Sequence, residues 1–391
     1  MRRCYLHATV RPPLSPISPI SPLSSVLAAA LLLASARLAP AVAAVPAVEP
    51  APGAPPGAPL APSPRLDPPG VVSRRYHVMG TDLVLTAYVS DTVQAAAAFA
   101  AGHAEVARIE ALMTDWERPG VPPSDILRVN AAAGDGKPVA VSAETFEVIA
   151  KALDMSRRSG GAFDISFAAM HGLWKFDEDL ERKVPLPAEV AERRRLVNWR
   201  DVLTDPVART VRLRRAGMRI GLGGIAKGYA VDRASAVLRA RGLANFMVQA
   251  GGDLFVAGSK GSAHWMVGVR DPRGAAGDVI ARMPIEDHAF STAGDYERSF
   301  VLDGRRYHHI IDPKTGYPAT ASREVTIFAP SAFLADALDD AVFILGPKKG
   351  LALCRQFPDT AALIVDATNH VWMSPSLAGR LERTAEPKDG I

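Results

Sequence analysis

The chain has 391 residues, among them 45 Lys and Arg, 41 Asp and Glu, 48% hydrophobic and 6% aromatic residues. This composition provides enough apolar side chains for a large core and too little charge for an intrinsically disordered protein. Four arginines and no acid lie in residues 1–45, so the remainder balances 41 basic against 41 acidic residues. Without a basic stripe interleaved with aromatics, we expect no nucleic-acid partner.

Residues 1–45 predict an export signal. Arginines precede an uncharged stretch with the apolar block 26–34, and Ala41-Val42-Ala43 offers a small-x-small cleavage site. An uncleaved membrane anchor is the alternative, but the block is shorter than the roughly 20 apolar residues that cross a bilayer, and Arg37 interrupts it. Cys4 would leave with this segment, so we expect a buried thiol at Cys354 and no internal disulfide. The predicted location is exported, periplasmic or associated with the cell envelope.

Residues 46–70 contain 10 of the 32 prolines of the chain. This Pro/Ala-rich composition predicts a disordered linker that acts as a semi-rigid tether. We therefore expect the folded catalytic domain to occupy residues 71–391.

Beyond residue 71, helical and strand patterns are interleaved without a regular βαβ alternation. In chain order they predict strands 76–79 and 82–89, helices 91–113, 142–160 and 186–195, and a hairpin of strands 211–214 and 218–220. There follow a helix over 221–242, strands 246–249, 254–257, 266–270, 299–302, 306–311 and 325–328, a helix over 331–345, and strands 361–365 and 370–373. This mixture predicts an α+β fold, one compact catalytic domain that can divide into two lobes.

A glycine-rich segment, Gly221-Leu-Gly-Gly-Ile-Ala-Lys-Gly228, lies at a predicted strand-to-helix junction. Glycines allow a close approach of the backbone to a ligand, and a helix N-terminus with Lys227 nearby favours phosphate. The spacing matches neither a Walker loop nor a dinucleotide fingerprint. A tight turn with a solvated lysine remains the alternative.

Three aspartates lie close together on the predicted helix over 331–345. Asp336 and Asp340 are four residues apart and share a face, and Asp339 is close to it. Oxygen ligands of this kind favour magnesium, calcium or manganese over zinc. A solvated acidic face is the alternative, but the other residues of this helix are mostly apolar.

A histidine pair precedes the turn segment Asp312-Pro-Lys-Thr-Gly316. His309, at the end of a predicted strand, can serve as a general base or a phosphate ligand. The alternative is a purely structural turn in which Asp312 binds its own backbone.

Seven segments in this order resemble the ApbE family, the FAD:protein FMN transferases, from about Tyr76 to the C-terminus. They are Met79-Gly-Thr81, Phe163-Asp-Ile-Ser166 with Leu173-Trp-Lys-Phe176, Gly223-Gly-Ile-Ala-Lys-Gly-Tyr-Ala230, Ala250-Gly-Gly-Asp-Leu254, Ser291-Thr-Ala-Gly-Asp-Tyr296, His309-Ile-Ile-Asp-Pro-Lys-Thr-Gly316 and Ala335-Asp-Ala-Leu-x-x-Ala341.

The resemblance implies a magnesium-dependent reaction with FAD as substrate. FAD is split at its pyrophosphate, the FMN phosphate is joined to a Thr or Ser of an acceptor protein, and AMP leaves. The implied acceptor carries Asp-x-x-Ser/Thr-Gly/Ala-Ala/Thr and is expected in a subunit of a membrane redox complex. Two other functions stay open: a periplasmic flavin-binding protein without transfer activity, and a metal-dependent FAD pyrophosphatase.

The resemblance also implies roles for individual residues. It gives the Gly224 carbonyl and the Asp336 carboxylate as metal ligands, with Asp340 at a further ligand position. The requirements of phosphoryl transfer, and not the resemblance, make Lys227 and His309 the expected catalytic residues. The expected FAD contacts are Met79, Trp116, Phe163, Asp164, Ile165, Gly221, Lys227, His309 and Ile310. Two positions depart from the family pattern: Gly221 stands where aspartate is common, and Asp340 stands where threonine is common.

Overall fold

The computed structural model describes residues 65–176 and 182–391. The predicted export signal and residues 46–64 of the predicted linker lie outside the described residues. The first strand, β1, begins at Arg65, so residues 65–70 belong to a strand and not to the linker. Among the described residues, no helix combines the length and apolarity needed to cross a membrane.

Strands and helices alternate irregularly along the described chain. The N-terminal half contains β1 (Arg65–Val78), β2 (Thr81–Asp91), α1 (Thr92–Met113), α2 (Asp125–Ala131), β3 (Val139–Ala140), α3 (Ala143–Arg158), α4 (Pro187–Arg194), β4 (Val202–Asp205), β5 (Thr210–Leu213) and α5 (Ala226–Ala240). The C-terminal half contains β6 (Phe246–Ala250), β7 (Asp253–Ala257), β8 (Trp265–Arg270), β9 (Val279–Ile285), β10 (His288–Gly294), β11 (Ser299–Leu302), β12 (Arg305–His308), β13 (Ser322–Ala329), α6 (Ala332–Cys354), β14 (Ala361–Asp366), β15 (Val371–Met373) and β16 (Glu382–Arg383). Single 3₁₀ turns cover Ile165–Met170, Trp199–Asp201 and Pro375–Leu377. The predicted α+β class is confirmed.

Short polar side chains set the starts of three helices, as the sequence predicted. Asp91 accepts hydrogen bonds from the backbone of the first turn of α1, and Ser142 and Ser331 do the same for α3 and α6. Such a cap satisfies N–H groups that have no partner within the helix. Near the predicted end of α6, Gly346 is non-helical at φ 71°, and the helix resumes beyond it to Cys354.

Eight strands form one sheet in the order β1-β2-β6-β7-β10-β13-β14-β15. Every neighbouring pair in it is antiparallel. Three smaller sheets are β16-β9-β8, β3-β5-β4 and β11-β12. All described residues belong to one compact unit.

The large sheet has a hydrophobic core on each face. In β14, Ala362 and Ile364 face the core shared with α1, α5 and α6, whereas Leu363 and Val365 face the core shared with β8 and β9. This alternation follows from the two-residue period of a strand. Cys354 is buried in the helical core, as predicted.

The predicted hairpin over 211–220 is wrong. Val211 pairs instead with β4 and β3, and residues 218–220 form no strand. The reason is the Asn130 side chain, whose amide donates to Ile220 O at 2.9 Å and whose carbonyl accepts from Ile220 N at 2.8 Å. A side chain 90 residues away therefore satisfies the backbone groups that a neighbouring strand would have satisfied.

Strands β9 and β10 and helix α2 were not predicted from the sequence. The sequence of β10, His-Ala-Phe-Ser-Thr-Ala-Gly, is rich in small residues of low strand propensity. It becomes a strand because β7 and β13 pair with it on both sides.

Glu324, on the interior strand β13 of the large sheet, makes the stability of the fold depend on pH. It is fully buried and its Oε2 has no hydrogen-bond partner among the described residues. Burial raises the pKa of Glu324 well above the usual value of 4.5. Above about pH 4.5 the Glu324 carboxyl therefore keeps its proton in the folded protein but loses it in the unfolded chain. Each further pH unit lowers the free energy of unfolding by up to about 1.4 kcal/mol.

Glu324→Gln should remove this pH dependence. Urea unfolding from about pH 5 to about pH 8 should show wild-type stability falling relative to that of the variant as pH rises. Parallel pH profiles for the two proteins would contradict the prediction.

Candidate active site

The first turns of α5 and α6 are held tightly together. Asp232 of α5 accepts hydrogen bonds from Ala332 N at 2.9 Å and Phe333 N at 3.0 Å, and so caps α6 from outside that helix. A Cβ atom on Gly228 would lie 2.2 Å from Ala332 O. Only glycine permits this approach, which brings the start of α5 against α6.

A lysine and buried carboxylates meet at this contact, and we call them the acidic cluster: Lys227, Asp253, Asp336 and Asp339. Lys227 Nζ lies 2.9 Å from Asp253 Oδ2 and 3.6 Å from Asp336 Oδ1. Asp336 Oδ2 accepts the Gly228 N–H at 2.7 Å. One oxygen from each of the three aspartates lies within 4.8 Å of the others. Residues from α5, β7 and α6 thus converge on one point.

Ser291 of β10 joins two of these carboxylates. Its Oγ lies 2.7 Å from Asp253 Oδ1 and 2.6 Å from Asp339 Oδ2. A hydroxyl has one proton to donate, so one of the two short contacts requires a proton on a carboxyl group. With all three carboxylates ionised, the cluster would carry more negative charge than the Lys227 ammonium can neutralise.

Burial and mutual repulsion determine the charge states in the cluster. Burial raises the pKa of Asp336 to about 8, with Asp253 adding to the effect and Lys227 opposing it. The pKa of Asp339 is likewise raised, first by burial and then by Asp340 and Asp336. For Lys227, burial lowers the pKa, but the surrounding aspartates outweigh it and leave the ammonium firmly charged.

These residues fit a divalent cation. The available donors are carboxylates and a hydroxyl, which suit magnesium, calcium or manganese, and a cation would replace the protons that the crowded carboxylates otherwise need. The predicted ligands Gly224 and Asp340 lie side by side, since a Cβ on Gly224 would be 2.9 Å from Asp340 Oδ2. The predicted ligand Asp336 lies in the acidic cluster itself.

Two predicted FAD-contact segments lie against each other. Gly221 N donates to Ile165 O at 3.0 Å, and a Cβ on Gly224 would lie 3.6 Å from the Phe163 ring. Asp164, between them, is a structural cap: it accepts from Ser166 N at 2.8 Å and from Trp199 N at 2.9 Å. Its carboxylate therefore shapes the segment and is not free for a ligand.

Trp116 is the most accessible of the predicted FAD contacts. Its side chain is 72% exposed, and its ring stacks on His171 with centroids 6.4 Å apart. Met79, by contrast, is half-buried, with φ 54° and its N–H donated to Glu110 Oε1 at 3.1 Å. An exposed aromatic ring beside a glycine-rich loop can stack on a planar ligand.

His309 is placed differently from the general base that we predicted. The backbone N–H of His309 donates to Arg298 O at 3.1 Å. The ring Nδ1 is buried without a hydrogen-bond partner among the described residues. Burial, followed by the charge of His308 and Arg298, lowers the pKa of His309 to about 3. A base of this pKa is weak at neutral pH, so the imidazole is better suited to hydrogen bonding in its neutral form.

The segment after His309 is fully engaged in the fold. Ile310 N donates to His308 Nδ1 at 3.3 Å, and Ile310 O accepts from Ala319 N at 2.9 Å. Asp312 Oδ1 accepts from Lys314 N at 2.8 Å. Asp312 thus binds its own backbone, as the structural interpretation of this turn expects, and the Ile310 backbone groups have partners within the fold. The ligand contacts expected of His309 and Ile310 stay predictions.

A known protein family matches most of the chain. The model of the ApbE family matches residues 79–364, a span that includes the glycine-rich loop and the acidic cluster. The chain belongs to the ApbE family.

Relatives within the ApbE family cover most of the chain. A Treponema pallidum protein named FAD:protein FMN transferase is 37% identical over 273 residues, which are 66% of this chain and 75% of that protein. A Klebsiella pneumoniae protein of the same name is 32% identical over 300 residues, 76% of this chain and 90% of that protein. The crystal structure of the Thermotoga maritima ApbE protein aligns with a TM-score of 0.71 at 33% identity, covering 81% of this chain and 100% of that chain.

Two members of this ApbE site were not predicted as functional residues. Asp253 is the first residue of the apolar strand β7, and the available signal was a carboxylate that directly follows two glycines. Ser291 lies in β10, which the sequence did not predict. Both become site residues because β7 and β10 pair at Asp253 and Ser291.

Proposed function

We propose that this protein is an exported, magnesium-dependent FAD:protein FMN transferase. The observation that carries the proposal is the buried cluster of Lys227 with Asp253, Asp336 and Asp339, in a chain whose relatives bear that activity in their names. The glycine-rich loop and the exposed Trp116 ring beside it add the surfaces that a flavin dinucleotide requires.

The reaction replaces the phosphoanhydride linkage of FAD by a phosphate ester linkage to the acceptor. An acceptor hydroxyl attacks the phosphorus of the FMN half, a new oxygen–phosphorus bond forms, and the pyrophosphate bond breaks. AMP leaves with the bridging oxygen, and the hydroxyl loses its proton. Such a transfer requires in-line placement of the acceptor and neutralisation of charge on the phosphate oxygens.

The residues of the acidic cluster and their neighbours divide these tasks. Asp336 and Asp340, with the Gly224 carbonyl, would hold Mg²⁺, which when bound supplies positive charge to the pyrophosphate oxygens. Asp253 and Asp336 hold the Lys227 ammonium at a fixed position at the start of α5. Ser291 holds the carboxylates of Asp253 and Asp339 in place through the two short contacts of its hydroxyl. Neutral His309, with its unpartnered Nδ1, can hydrogen-bond a phosphate or its substituents.

The acceptor we propose is a separate protein with an Asp-x-x-Ser/Thr-Gly/Ala-Ala/Thr segment, on the periplasmic part of a membrane redox complex. The export pattern of residues 1–45 supports this location, and the proline-rich residues after it would give the domain reach.

One experiment separates the three functions that the sequence left open. A protein of residues 65–391, which lacks the predicted export signal, is incubated with FAD, Mg²⁺ and a protein carrying the acceptor segment. Flavin fluorescence on the denatured acceptor band supports transfer. Free FMN and AMP without labelling would instead indicate a pyrophosphatase, and bound intact FAD would indicate a binding protein.

We predict that the enzyme does not label itself. Asp312–Tyr317 matches the first five positions of the acceptor pattern but has Tyr317 where the sixth requires Ala or Thr. Asp232–Val237 also fails at the sixth position, and its Ser235 is buried inside α5. Mass spectrometry after incubation with FAD and Mg²⁺ should show no covalent FMN. An adduct on Thr315, which is exposed, would overturn transfer to a separate acceptor as the sole route.

A further inference from the structure

A second carboxylate, Asp115, lies against the glycine-rich loop away from the acidic cluster. A Cβ atom on Gly221 would lie 3.0 Å from Asp115 Oδ2 and 3.1 Å from the Ala168 Cβ. The carboxylate therefore occupies the space that a side chain at position 221 would fill. The absence of a side chain on Gly221 is what admits Asp115 to the loop.

Asp115 has acceptor capacity that the described residues do not use. Its side chain is 13% exposed, and its Oδ2 is buried without a hydrogen-bond partner among them. His171 Nδ1 lies 3.1 Å from this oxygen and forms an ion pair with it when the imidazole is protonated, but the contact does not have the geometry of a hydrogen bond. A buried carboxylate oxygen without a hydrogen bond is costly, and each such group in a native protein calls for an explanation, a bound donor being one.

The surroundings of Asp115 are rigid and lie beside an aromatic surface. Gly221 is fixed through Ile165 O, and the preceding Ile220 through both amide groups of Asn130. The next residue after Asp115 is Trp116, whose exposed ring stacks on His171. Asp115 is thus the chain neighbour of a ring on which a planar ligand can stack.

We propose that Asp115 binds the dinucleotide substrate by accepting a hydrogen bond from one of its sugar hydroxyls. The donor is a hydroxyl of either the ribose or the ribityl chain, since both present O–H groups beside an aromatic ring system. This inference rests on the proposed function, because it assigns a substrate contact of that same site.

Asp115→Asn tests the contact with little change in shape. The amide keeps the volume of the side chain and one acceptor oxygen but loses the charge, so FAD should bind about 5- to 10-fold more weakly, the difference between a hydrogen bond to a charged acceptor and one to a neutral acceptor. Glu117→Gln, at an exposed neighbouring position, is the matched control and should bind FAD as wild type does. An unchanged FAD dissociation constant in Asp115→Asn, measured by quenching of flavin fluorescence, would overturn the proposal.

A stricter test places the carboxylate on residue 221 in place of residue 115. Asp115→Ala should weaken FAD binding, and adding Gly221→Asp should restore part of it, because the new carboxylate grows into the same space. Asp115→Ala with Gly221→Ala carries the same contact with Ala168 but no carboxylate, and should not recover. Equal FAD affinities for the two double variants would show that the carboxylate is not the binding group.

Fragments of the substrate identify the hydroxyl and keep the two hypotheses apart. Competition by ADP, which has a ribose, and by FMN, which has a ribityl chain, is measured on wild type and Asp115→Asn. A weaker effect of ADP in the variant assigns the ribose, a weaker effect of FMN assigns the ribityl chain, and no change for either contradicts a sugar contact. Wild type that binds FAD without transferring FMN would refute the proposed function and leave the Asp115 result readable.

Discussion

Asp336→Asn should lower the rate of FMN transfer by about 10²- to 10⁴-fold while the protein remains folded. Asparagine keeps an oxygen that can accept the Gly228 N–H, now 2.7 Å from Asp336 Oδ2. It removes the negative charge that faces Lys227 and that we assign to the cation. The rate should be measured with an excess of acceptor across a Mg²⁺ titration.

Asp135→Asn is the matched control, because Asp135 is exposed. It removes the same charge away from the site and should leave transfer unchanged. If Asp336→Asn retained the full rate at limiting Mg²⁺, the assignment of Asp336 to the metal would be wrong.

Gly228→Ala should destabilise the protein by about 2–3 kcal/mol and also reduce transfer. The new methyl group would lie 2.2 Å from Ala332 O and 2.7 Å from Asp336 Cβ, closer than atoms can approach. Since the Ala332 oxygen belongs to the backbone, α5 and α6 must separate. Asp336 and Lys227 would then lose their present distances, so the effect on activity follows from the effect on packing.

Gly223→Ala provides the comparison for stability. A Cβ at Gly223 would meet no atom within 4 Å, and the residue does not require a left-handed backbone. Urea unfolding should therefore show wild-type stability for Gly223→Ala and a lower midpoint for Gly228→Ala. Equal midpoints for the two variants would contradict the close packing of α5 on α6.

Local chemistry made parts of this structure predictable from sequence. Asp91, Ser142 and Ser331 mark helix starts because a short polar side chain can cap the residues that follow it. The placement of Asp336 and Asp339 on one face of α6 follows from helical spacing, and both carboxylates do meet in the acidic cluster.

Long-range contacts made other parts unpredictable. Ile220 is held by a side chain 90 residues earlier in the chain, and no local pattern reveals that partner. Ser291 and Asp253 become neighbours only through the pairing of β10 with β7. Likewise, the carboxylate of Asp115 fills the space beside Gly221 only once α1 and the glycine-rich loop have packed together.

His309 shows how burial can change a role inferred from residue type. A histidine near a phosphate site suggests a base, because its ordinary pKa is close to neutral. In the fold, burial lowers the pKa of His309 to about 3, so the side chain is neutral and poorly basic. Sequence identified the residue, but only its surroundings determine which chemistry it can perform.

The most direct test of the central claim is the intact mass of an acceptor protein after incubation with this enzyme, FAD and Mg²⁺. The proposed transfer predicts a gain of one FMN less one water on the acceptor, with one AMP released for each FMN attached. Release of AMP and FMN with an unchanged acceptor mass would contradict the account.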